Sequence, residues 1–123
     1  MTLIDANAIL RILPSDNAEM VGKTKAFIGA NPVLIRNEVM AEIVYVLQKV
    51  YKLPRETISS SLKSVIQVKN INAESAEITV CALNLYCESG MDFVDCLLCA
   101  YSSVGHHGVF TFDKKIMNRI KPQ

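Results

Sequence analysis

Apolar residues fall along this chain either in short runs or at helical spacing, and the two patterns alternate. Residues 2–5 are a short apolar run closed by Asp5 and predict a buried strand. A brief helical pattern over residues 6–13 follows, ended by Pro14. Ser15 and Asp16 offer an N-cap for a helix to about Ile28, closed by Gly29. Asn31-Pro32 predicts a turn and Val33-Leu34-Ile35 a second strand. The clearest helix covers residues 37–51, where Val39, Ile43, Val46 and Val50 recur at helical intervals. Leu53-Pro54 breaks it, and Pro54 suits the first turn of a helix over residues 55–66. Residues 68–71 predict a third, weak strand, and residues 74–88 a helix stopped by Ser89-Gly90. Asp92 is placed to N-cap a helix through about Val104, with Asp95 three residues on as in a capping box. Gly105-His106-His107-Gly108 is a turn. Residues 109–112 predict a strand, and Asp113 opens a last helix to about Ile120.

Strands alternating with helices or helix pairs predict an α/β fold with a parallel sheet covered on both faces. Ligands of such sheets bind outside the carboxyl ends of the strands. Asp5 and Asp113 each end a strand and open a helix, so on one parallel sheet they face the same edge. Each also has a plain reading as an N-cap. At about 100° per residue, Val46, Val50, Ile43 and Leu47 form the apolar arc of their helix. Glu42 lies just outside that arc beside Val46, whereas Glu38 reads as a solvated residue. Asp95 stands among Phe93, Val94, Cys96, Leu97, Leu98, Cys99 and Ala100. A carboxylate in so apolar a helix needs a partner, and with no basic residue nearby in sequence a metal ion is the natural one. Asp92 is better placed as the simple cap, with a supporting place at the site as its alternative. Asn7 and Thr111 stand two positions from Asp5 and Asp113, where they can bond carboxylates or metal-bound waters or serve the local turns.

Composition narrows this picture. The 123 residues, half of them apolar, suit a single domain over residues 1–123. The apolar runs fall far short of the ~20 residues that span a bilayer. The N-terminal stretch reaches Asp5 without a basic region, so no signal peptide is expected and the cytoplasm is the expected compartment. The four cysteines are too few for a disulfide framework. Cys96 and Cys99 form a C-x-x-C motif, but zinc needs about four ligands, so these cysteines are expected to be small core residues. Net charge is only +1. With Asp5, Glu42, Asp95 and Asp113 set aside, thirteen basic residues face eight acidic ones. A modestly basic shell around an acidic pit suits a polyanion bridged to carboxylates by metal.

Several chemistries are excluded. The phosphate-cradling motifs G-x-x-x-x-G-K-[ST] and G-x-G-x-x-G are missing, as is the G-x-S-x-G elbow. His106 and His107 sit in a glycine-flanked turn and read as solvated. A phospho-acceptor receiver needs a central aspartate, yet no Asp occurs between Asp16 and Asp92.

Four stretches together resemble the PIN-domain family. They are Leu3-Ile4-Asp5-Ala6-Asn7-Ala8-Ile9-Leu10, Val39-Met40-Ala41-Glu42-Ile43, Met91-Asp92-Phe93-Val94-Asp95-Cys96-Leu97-Leu98 and Val109-Phe110-Thr111-Phe112-Asp113. The nearest type is similar to the toxin ribonucleases of VapBC toxin–antitoxin pairs. The resemblance implies a three-layer α/β/α sandwich with a central parallel sheet and an RNA-cleaving enzyme using one or two Mg²⁺ or Mn²⁺ ions. Asp5, Glu42, Asp95 and Asp113 would be its acidic quartet, and Asn7 and Thr111 the polar positions that accompany it. Cysteines stand where alanines are common after the third acid. The resemblance further implies a small antitoxin partner and a homodimer, toward which the mean hydropathy of +0.25 also points. The alternative on the same fold is a module that binds RNA or protein without cutting.

Overall fold

Three short parallel strands form one sheet in the order β1-β2-β3: β1 (Thr2–Leu3), β2 (Val33–Ile35) and β3 (Ile71–Ala73). The structure, a computed structural model, describes residues 1–13 and 18–120. The chain divides into two compact units, Met1–Glu74 and Ser75–Gln123. The expected stop at Pro14 and cap at Ser15 and Asp16 lie outside the described residues.

In the first unit the sheet is joined by α1 (Ala6–Leu10), α2 (Ala18–Ala30), α3 (Asn37–Lys49) and α4 (Arg55–Val65). The central strand β2 carries the core, with Val33 and Ile35 fully buried, as two-faced burial demands of a parallel strand. The first strand is not buried as expected. Among the described residues it pairs only with β2, in the register Thr2↔Val33 and Leu3↔Leu34, and Leu3 is 61% exposed. The third strand starts later than expected, because Asn70 takes a left-handed turn (φ 71°) that an Asn tolerates. From that turn its side-chain amide donates to the Ile28 carbonyl at 2.9 Å, tying the turn to the end of α2.

The expected apolar face of α3 is rotated. Its buried residues are Asn37, Met40, Ile43, Val44 and Leu47, while Val50 is 67% exposed. The sequence carries two adjacent apolar stripes, and packing against α1 and α4 selects the one through Met40 and Val44.

The second unit holds α5 (Ala76–Ser89), α6 (Phe93–Ser103) and α7 (Lys114–Met117). Ser75 Oγ caps α5 by accepting the Ile78 N–H at 3.2 Å. Gly90 closes it at φ 71°, the left-handed position that glycine fills without strain. Tyr86 and Phe93 meet edge-on at 6.1 Å in the core of this unit. Cys96 and Cys99 are buried and form no disulfide, as expected of core residues, and burial pushes the Cys99 thiol up. At Gly105 a β-carbon would stand 2.8 Å from the Tyr101 carbonyl. His106 and His107 are both exposed.

The strand expected over residues 109–112 is absent from the sheet. Alternating apolar residues form a strand only where a neighbour supplies the ladder, and among the described residues none does. The last helix is also shorter than expected, ending at Met117.

Two outcomes test this core. Thr79 is fully buried, and among the described residues its Oγ1 is a buried side-chain atom without a hydrogen-bond partner. An orphaned hydroxyl costs roughly 1–3 kcal/mol, so Thr79→Val is expected to raise stability by about 1 kcal/mol in urea denaturation. Alkylation of the native chain at pH 8 is expected to spare Cys96 and Cys99 and to reach them only in denaturant.

Candidate active site

Asp92, Asp95 and Asp113 line one cavity of about 460 Å³ in the second unit, with Gly90, Met91, Lys114 and Lys115. Local structure sets each of them. Asp113 is the N-cap of α7, where its Oδ1 accepts the N–H groups of Lys115 at 2.8 Å and Ile116 at 3.2 Å. Its own N–H donates to Thr111 Oγ1 at 3.0 Å, so Thr111 makes the local turn bond that its position allows. Asp95 lies in the first turn of α6, beside the buried Phe93, Cys96, Leu97, Cys99 and Ala100, and is itself half-buried. Asp92 occupies the N-cap position of α6, but its side chain makes no cap bond. The expected capping box is therefore absent, and the Asp92 carboxylate is left at the cavity.

The electrostatics follow from this crowding. The Asp95 carboxyl is pushed above the ordinary range, first by burial and then by the charges of Asp113 and Asp92, with Lys115 opposing. Lysine at the cavity therefore relieves only part of the repulsion.

In the first unit, Asp5 N-caps α1, with Oδ1 accepting the Ala8 N–H at 2.9 Å. Both Asp5 and Asn7 are exposed. Asp5 lines a second cavity of about 470 Å³ that includes Leu3, Lys23 and Phe27. Glu42 is exposed and lies about 200° around α3 from Met40, on the face away from the buried arc. It is not the core-edge residue that the spacing predicts. Glu38, read as solvated, is exposed and bonded to Arg36 at 2.6 Å.

One acid that the sequence analysis did not single out is Glu74. Its Oε1 accepts the Asn37 N–H at 2.7 Å, serving the N-terminus of α3, and stands 3.6 Å from Arg36 Nε. The two partners are 37 residues apart in sequence, so no local pattern announces the bond.

The donor set offered by these acids is all carboxylate oxygen, which in kind suits a hard divalent cation. Among the described residues, however, no three His, Cys, Asp or Glu side chains come close enough together to hold one ion.

The family model for the PIN domain matches residues 2–121. The chain belongs to the PIN-domain family. Its parallel sheet flanked by helices accords with that membership. PIN domains are generally nucleases and commonly use divalent metals, and membership implies nucleic-acid binding. No curated protein and no solved structure matches the chain. Among the described residues no helix is long and apolar enough to cross a membrane.

The raised Asp95 carboxyl has a measurable consequence. At pH 3 Asp95 is protonated in the folded and unfolded states alike and costs the fold nothing. As pH rises, the unfolded chain ionises first, and the fold loses stability until Asp95 ionises too. In metal-free buffer, Asp95→Asn is therefore expected to gain thermal stability relative to the unaltered chain at pH 7 but not at pH 3. Melting curves by circular dichroism at the two pH values check this.

Proposed function

We propose that this PIN domain, a single domain over residues 1–123, is a metal-dependent endoribonuclease that hydrolyses RNA phosphodiester bonds. We further propose that it acts as the toxin of a type II toxin–antitoxin pair. Family membership supports the nuclease. The observation that supports the reading is the second-unit cavity lined by Asp92, Asp95 and Asp113, where burial, and after it the charges of Asp113 and Asp92, push the Asp95 carboxyl up. A cavity that disfavours its own negative charge suits a cation.

The reading assigns Asp5, Glu42, Asp95 and Asp113 to one or two Mg²⁺ or Mn²⁺ ions, with Asn7, Thr111 and Asp92 in support. Such a metal supplies a water of lowered pKa and offsets charge on the phosphate. The chain's own residues do the rest. Thr111 holds the Asp113 main chain and the α7 N–H groups hold its carboxylate, the buried face of α6 fixes Asp95, and Lys114 and Lys115 attract the phosphate backbone. The same reading includes a small antitoxin partner, a homodimer and a cytoplasmic location.

A second reading, a PIN-like module that binds RNA or a protein without cutting, is favoured by one observation. Glu42 is solvated on α3, and no three acids among the described residues share coordination reach.

Incubation of the purified protein with RNA and Mg²⁺ or Mn²⁺ separates the two. Cleavage that is abolished by EDTA and falls at least a hundredfold in Asp5→Asn, Asp95→Asn and Asp113→Asn is expected. That loss corresponds to about 2.7 kcal/mol of barrier. Activity that survives EDTA would sink the metal assignment. Absence of cleavage, together with calorimetry showing no Mg²⁺ or Mn²⁺ binding at millimolar concentration, would leave the binding module.

A further inference from the structure

We draw no further inference here: the strongest candidate, the groove of the first unit that α2 and α4 line with Ile28, Val65 and Val68 beside Lys25 and Lys69, is an apolar face, and nothing in the structure shows what covers it.

Discussion

The second unit brings three like charges, Asp92, Asp95 and Asp113, to one cavity and holds two of them in place. Asp113 is anchored twice, through its own N–H to Thr111 and through its carboxylate to two N–H groups of α7. Asp95 rides on a helix whose neighbouring side chains are buried, so turning it away would expose Phe93 and Leu97. Burial, and after it the charges of Asp113 and Asp92, push the Asp95 carboxyl up, with Lys115 opposing.

The acids of the first unit are held differently. Asp5 is fixed by its cap on α1 and is otherwise exposed, and Glu42 has solvent around it. The constrained acid there is Glu74, which serves the α3 N-terminus and lies within ion-pair distance of Arg36. Its role is explained by that helix end. Three carboxylates thus share one cavity in the second unit, whereas Asp5 is the one of these first-unit acids that lines a cavity.

Helices were legible wherever a boundary signal accompanied the period, as at Pro54, which opens α4, and Gly90, which closes α5. The face of α3 was less so, because Val39, Val46 and Val50 make an apolar stripe as regular as the one through Met40 and Val44, and only packing distinguishes them. Strands were least legible. Residues 109–112 alternate as a strand does, yet pairing is a property of two segments and one sequence window carries only half of it. At the site, the sequence identified Asp95 and Asp113, which share a cavity, but read Asp92 as a cap where its side chain makes no cap bond. N-cap preference describes a position, whereas a cap bond depends on the rotamer the cavity allows.

The choice between cap and ligand, which the residue pattern at Asp5 and Asp113 leaves open, turns out not to be a choice. In both, the cap bonds engage Oδ1. A carboxylate has a second oxygen with its own lone pairs. Capping therefore orients the group without exhausting it. The strand–acid–helix pattern that opens the chain is a device for holding a charged oxygen at a fixed place. Its repetition at Asp113, after a segment that forms no strand, shows that the short helix and its cap, rather than the strand before them, do the holding.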